Sequence, residues 1–224
     1  MKDLKSILKE CSIKEIYCDN HGAPITYVIP IYQRNYAWER DEICALIKDV
    51  HDSMDMGKTV YYIGTLVTYK RDENKYEVID GQQRLTTIYI ILRALGEHDI
   101  YNRLTYSARK ASASTIEALS GRGEKDDLGE MPDLGIKNGF DSAKAGLNEI
   151  VGMAQTDVDK FKEYFLNHVH IIHYRVPKDV DLNHYFEVMN SRGEQLEKHE
   201  IVKAKLSEQF IGDNTSMEKF SRIW

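Results

Sequence analysis

Cysteine, basic charge and long apolar runs are what this 224-residue chain has little of. Its three cysteines, Cys11, Cys18 and Cys44, are odd in number and form no C-x-x-C pair. That argues against a disulfide framework or a zinc site and for the thiols of a cytoplasmic protein. No uninterrupted apolar stretch approaches the ~20 residues that a membrane span needs, so no membrane partner is expected. Lys and Arg number 30 against 36 Asp and Glu, a formal net charge of −6. A dedicated non-specific nucleic-acid binder would be basic; local DNA contact through a basic patch stays open. Residues 1–16 are amphipathic with acids interspersed and do not read as a secretory leader. What is present is ordinary in amount: 42% apolar and 29% charged residues suffice for one domain with a good core, or a domain with an appendage.

The pattern is organised around Asp80-Gly81-Gln82-Gln83-Arg84. Apolar alternation from Tyr76 to Ile79 leads in and a strongly apolar segment from Leu85 to Leu95 leads out, which predicts strand, tight turn and buried helix. Gly81 permits the turn or a close backbone approach. Gln82, Gln83, Arg84, Thr86 and Thr87 then place polar groups in the first helical turns, where unpaired N–H groups and the helix dipole favour an anion. The plainer reading is a polar cap on a buried helix.

Before this turn, residues 2–17 carry apolar spacing that predicts one or two short helices. Asn20 to Pro24 is turn chemistry, and Ile25 to Ile31 is a strand that Pro30 ends or places at an edge. Ile43, Leu46, Ile47, Val50 and Met54 predict an amphipathic helix over 39–55, closed by Gly57. Val60 to Tyr69 pairs with Tyr76 to Ile79 as a hairpin across a charged turn. After the central helix, Tyr101 to Tyr106 reads as a short strand. Residues 107–138 read as a surface excursion with a short helix near Ser114 to Leu119. Helices over 140–153 and 157–168, a strand over His168 to Val176, and helices over 182–189 and 198–210 complete the chain. It is expected to be a single domain over 1–224, with a core at about 12–106, the excursion, and a helical part from about 139. Its end at Ile223-Trp224, straight after a charged helical pattern, leads to the expectation of truncation from a longer protein.

Chemistry could sit in several places. Arg34 follows Gln33 and Arg84 follows Gln83, each where a strand gives way to a helix. A guanidinium fork suits phosphate oxygens, and the two pairs would converge on one anion if their strands were neighbours. The alternative is a structural salt bridge to Asp80 or Glu39. Asp80 is a candidate metal ligand or water-positioning carboxylate, or else a cap for its own turn. Tyr36 could stack on a base, whereas Trp38 reads as a core anchor. Asn190-Ser191-Arg192-Gly193 forms a corner between two helices, with Gly193 suited to positive φ and Asn190 and Arg192 able to reach a ligand. A DNA-binding helix-turn-helix there is disfavoured by Glu194, Glu197 and Glu200. His168, His170 and His173 share one strand without a carboxylate at ligand spacing, and alternation puts His173 on the opposite face from the other two. They read as surface or packing residues. Gly121 to Lys125 lacks the spacing and ending of a phosphate loop.

Four segments occur in order: I-P-x-Y-Q-R-x-Y-x-W from Ile29, Y-x-I-G-T-L-V from Tyr61, V-I-D-G-Q-Q-R-L-T-T from Val78, and F-x-x-M-N-S-R-G-x-x-L from Phe186. In these, from Ile29 to about Lys205, the chain resembles the N-terminal domain family of GmrSD-type modification-dependent restriction enzymes, within the ParB/sulfiredoxin-like superfamily. The resemblance implies an α+β fold: a ParB/sulfiredoxin-like mixed sheet core with flanking helices and a helical C-terminal part. It implies binding of a nucleoside triphosphate (ATP, GTP or CTP) with Mg²⁺, hydrolysis in some members, and a role in phage defence. It assigns the phosphate side to Asp80, Gly81, Gln82, Gln83 and Arg84, with Gln33, Arg34, Asn190, Arg192 and Gly193 around it and Arg109 as a further family arginine. Two departures stand out. Glu197 replaces a Ser or Thr cap, and no HNH nuclease domain of the kind relatives often carry lies in these residues, so a nuclease domain or partner is expected elsewhere. The alternatives are a DNA-binding module sensing modified bases, and a structural interaction domain.

Overall fold

The computed structural model describes residues 7–19, 21–119, 132–178 and 180. Within them the chain is α+β, with one mixed six-stranded sheet and packed helices. In chain order the strands are β1 (Leu8–Ser12), β2 (Thr26–Ile29), β3 (Tyr61–Asp72), β4 (Lys75–Asp80), β5 (Leu104–Tyr106) and β6 (Val169–Val176). The helices are α1 (Ile13–Ile16), α2 (Arg40–Asp55), α3 (Gln82–Ala94), α4 (Lys110–Ala118), α5 (Leu134–Ile150) and α6 (Gln155–Asn167). The strands lie in the order β1-β6-β3-β4-β2-β5.

The directions of these strands place the site. β2 runs parallel to both β4 and β5, so the three chain segments that leave those strands emerge at one edge of the sheet. β3 is antiparallel to β4, with Val67 opposite Asp80, so its first residues reach the same edge. The loop after β2, the turn after β4, the segment after β5 and the start of β3 therefore meet. In open sheets with parallel strands, ligands bind outside the carboxyl ends of the strands.

Local chemistry explains most boundaries. Asp19 Oδ1 accepts from the N–H groups of His21 and Ala23 and closes the turn before β2. Glu42 accepts from Glu39 N at the start of α2, and Gly57, with φ +66°, ends it. α3 is buried on nearly every side; Leu85, Ile88, Tyr89, Ile90, Ile91 and Leu92 have no exposed surface.

Two expectations are corrected. Residues 8–12 form a strand rather than a helix, because they pair antiparallel with β6 from Leu8–Tyr174 to Ser12–His170. Tertiary pairing overrides weak local propensity there. Ser12 then caps α1 in a reciprocal box with Glu15. Nor are the described parts of 107–138 a surface excursion. Thr115, Ile116 and Ile136 are buried at 0–1% exposure, and α5 begins at Leu134. Asp133 caps α5 through Gly135 N and Ile136 N and accepts from Ser112 Oγ at 2.6 Å, which ties α4 to α5. Gly135, Gly139 and Gly146 let α5 lie against the Tyr36 carbonyl, the Tyr36 ring and Cys44; a Cβ at Gly139 would sit 2.8 Å from Tyr36 Cε1.

Candidate functional site

The two glutamine-arginine turns are neighbours, since β2 and β4 pair directly. What joins them is a set of side-chain amides. Gln33 Nε2 donates to Ile79 O at 2.6 Å and Gln82 Nε2 to Arg34 O at 3.3 Å. Gln83 bonds in both senses, donating from Nε2 to Asn35 O at 2.8 Å and accepting from Ala37 N at 2.9 Å. A primary amide carries a donor and an acceptor in peptide-like geometry, so it can stand in for a neighbouring strand where none is present. These glutamines are buried at 3–8% exposure and brace one turn against the other.

Arg109 belongs to the same bracing. Its guanidinium donates to the carbonyls of Ile31 and Arg34, each at 3.2 Å, and to that of Gln33. Burial lowers its pKa from the ordinary guanidinium value. Its three carbonyl partners fix the loop over residues 31–34. Tyr36 also faces inward, correcting its expected stacking role: it is 4% exposed and shares a hydrogen bond with Thr87 Oγ1 at 2.8 Å. Burial pushes its phenol up to about 12. Thr86 is buried as well, bonded to Tyr106 OH at 2.9 Å. Trp38 is half-buried against the main core.

The turn after β4 depends on Gly81. Its φ is +87°, and a Cβ there would lie 2.8 Å from Thr65 O. Gly81 is also the N-cap of α3, and among the described residues no side chain caps that end. The first N–H groups of the helix therefore lack both an intrahelical partner and a capping side chain. Arg84 Nη1 donates to Thr65 O at 2.6 Å. Its guanidinium lies over Gly64, whose missing side chain makes room, as a Cβ there would be 3.1 Å from Arg84 Cζ. Gly64 has φ +101° and sits where the register of β3 against β6 shifts between Tyr62 and Thr65. This glycine bulge beneath Arg84 was in the sequence as Y-x-I-G-T-L-V, but only the pairing reveals its purpose.

Two charged groups at this edge differ from the rest. Arg34 and Asp80 are exposed, and among the described residues neither side chain has a hydrogen-bond or ion-pair partner. The salt bridges considered for Arg34 and Arg84, to Asp80 or Glu39, do not form among the described residues. Asp80 does not cap α3. Among the described residues Gln82 Oε1 is buried without a hydrogen-bond partner. Asn190, Arg192 and Gly193 lie outside the described residues, as do the expected helices over 182–189 and 198–210.

The histidines are engaged elsewhere. His168 Nδ1 bonds Thr59 O at 2.9 Å and His170 Nδ1 bonds Glu10 Oε1 at 2.7 Å. His173 is 1% exposed, with Nε2 2.8 Å from Thr68 Oγ1, and burial, with the charges of Arg175 and Lys9 nearby, lowers its pKa to about 3. Among the described residues no group of three or more His, Cys, Asp or Glu could hold a metal ion. No helix among them is long and apolar enough to cross a membrane.

Fold and site together define a class: an α+β domain with a mixed sheet, in which two turns are braced by buried glutamines and present Arg34, Asp80 and an uncapped helix start at one edge. The model of the GmrSD restriction endonuclease N-terminal domain matches residues 13–207, and the chain belongs to that family. Membership makes it part of a restriction and phage-defence protein. No curated protein matches the chain.

Proposed function

We propose that this domain binds a nucleoside triphosphate at the edge where β2, β4 and β5 end, and hydrolyses it with Mg²⁺ to regulate a nuclease. The ParB/sulfiredoxin-like relationship implied by the sequence motifs agrees with this reading. The observation that carries it is the contrast at the edge itself: three glutamines and Arg109 are spent on bracing, while Arg34 stays exposed and, among the described residues, without a partner, beside a start of α3 that no described side chain caps. Backbone N–H groups fixed in the braced turns, with a guanidinium carried on one of those turns, stabilise phosphate charge as it develops. Arg34 takes phosphate oxygens, the N–H groups of Gln82, Gln83 and Arg84 cradle them, and Arg109 holds the loop in place.

The donor set fits a magnesium-bound triphosphate. Mg²⁺ usually takes one or two carboxylates plus phosphate oxygens and water, and Asp80 supplies one exposed carboxylate in the turn. The ion would neutralise charge on the phosphate oxygens. Asp80 would also orient an attacking water.

Arg84 has a second reading, favoured by its bond to Thr65 and its seat on Gly64: a strut between β3 and α3 rather than a ligand contact. Titration of ATP, GTP and CTP onto the wild-type protein and Arg84→Ala, followed by calorimetry and melting temperature, separates these. Binding lost together with an unchanged ligand-free melting temperature assigns Arg84 to the ligand. A lower melting temperature with a retained nucleotide response assigns it to the frame. Failure of all three nucleotides to bind wild type at millimolar concentration defeats the proposal.

A further inference from the structure

His170 has an acceptor at each of its ring nitrogens. It stands on β6 opposite Ser12 of β1 on one side and Tyr62 of β3 on the other. Its Nδ1 lies 2.7 Å from Glu10 Oε1, and its Nε2 lies 3.3 Å from the carbonyl oxygen of Asn167, the last residue of α6. The two partners share one property: neither has a proton to give. A backbone carbonyl only accepts. Glu10 only accepts because hydrogen bonds from Tyr62 and from His170 hold its carboxyl below the ordinary value and keep it ionised. A neutral imidazole has one N–H and one lone pair, so it meets one of these oxygens and turns a lone pair toward the other. The imidazolium donates to both.

The groups around the ring agree with a cation. Glu10 faces it from β1. Tyr62 meets it edge-on from β3, with ring centroids 6.0 Å apart, and bonds Glu10 through its hydroxyl. On α6, Glu163 bonds Asn167 Nδ2 one turn before the helix end, where unpaired carbonyls and the helix dipole favour positive charge. Among the described residues no Lys or Arg forms an ion pair with Glu10 in competition with His170. We propose that His170, as the imidazolium, clasps β1 and the end of α6 to β6, and that loss of its ring proton loosens β1. The place matters. β1 is the outermost strand of the described sheet on its side, and Ser12, opposite His170, also caps α1. The clasp therefore sits where β1 gives way to α1. The side chains of His170 and Glu10 are 20% and 44% exposed, so the proton exchanges with solvent. The clasp is complete while the ring is protonated and loses one of its two donors as pH rises through the titration of His170, so β1 is held more firmly in acid than in alkali. The clasp does not depend on the nucleotide reading.

Two measurements on the full chain test this. In nitrogen NMR of the imidazole ring, His170 is expected to show two protonated nitrogens at about pH 7, where a free histidine is mostly neutral. A neutral ring at that pH overturns the proposal. Amide exchange over residues 8–12, corrected for the intrinsic effect of pH, is expected to rise about threefold between about pH 6 and about pH 9, the scale of an exposed ion pair, while α3 stays protected. Glu10→Gln provides the control, because an amide can accept from the imidazolium or donate to the neutral ring. That variant is expected to lose the pH response of β1. No response in wild type, or the same response in Glu10→Gln, overturns the proposal equally.

Discussion

The glutamine-arginine edge and the histidine strand are equally rich in groups able to do chemistry, and the fold uses them in opposite ways. On β6 and just before it, each histidine has a structural partner: Thr59 for His168, Glu10 for His170, Thr68 for His173. At the edge above β2 and β4, glutamine amides and Arg109 satisfy the loop backbone, and Arg34 and Asp80 are left facing solvent. Residue type alone does not separate the two regions. What separates them is whether the surrounding backbone already has partners of its own. A strand inside a sheet does, so its side chains pack; a loop between strands does not, so buried side chains complete it and exposed ones are available.

Breaking the frame should cost most. Gly81→Val forces a β-branched residue into positive φ against Thr65 O and is expected to destabilise the fold by about 2–4 kcal/mol in urea unfolding. A loss below about 0.5 kcal/mol would mean the turn relaxes and is not the rigid element described. Arg109→Ala leaves the carbonyls of Ile31 and Gln33 without their donor, an expected loss of about 1.5–3 kcal/mol. Amide exchange over residues 31–37 should rise with it.

The histidine side of the comparison gives a pH test. His173 has a folded pKa near 3 against an ordinary value of 6.5. The unfolded chain therefore takes up a proton that the folded chain refuses, so stability is full above about pH 6.5 and falls as pH drops toward 3. Between about pH 7 and about pH 4.5 this one group should account for roughly 2 kcal/mol. His173→Gln should flatten that part of the acid limb; an identical limb in the variant would show that the histidine is not the source. The smallest effect on stability is expected at the exposed end of the comparison. Arg34→Ala removes a side chain without a partner among the described residues and should leave the ligand-free melting temperature within about 1 °C.

Much of this frame was legible in the residues. The turn before β2, the span of α2, the hairpin of β3 and β4 and the glycine turn into α3 all carry short-range signals. The pairing of the two glutamine-arginine turns could be stated only as a condition, because strand order is a long-range property. β1 was misread as helix because its partner lies about 160 residues away on β6. The start of α5 at Leu134, ahead of the expected 140, was not legible because glycine is a poor helix former and the close approach of Tyr36 to Gly135 and Gly139 is a long-range contact. The glutamines signalled where they stand but not what they do, since nothing in the sequence distinguishes an amide that meets a ligand from one that braces a loop.

The most direct test of the account is nucleotide binding by Arg34→Ala beside wild type, read as the shift in melting temperature at millimolar ATP, GTP and CTP with Mg²⁺. The account predicts that at least one nucleotide raises the wild-type melting temperature, that the variant melts with ligand-free wild type, and that the variant loses the response. A variant that responds as wild type does, or a wild type that responds to none of the three, would contradict it.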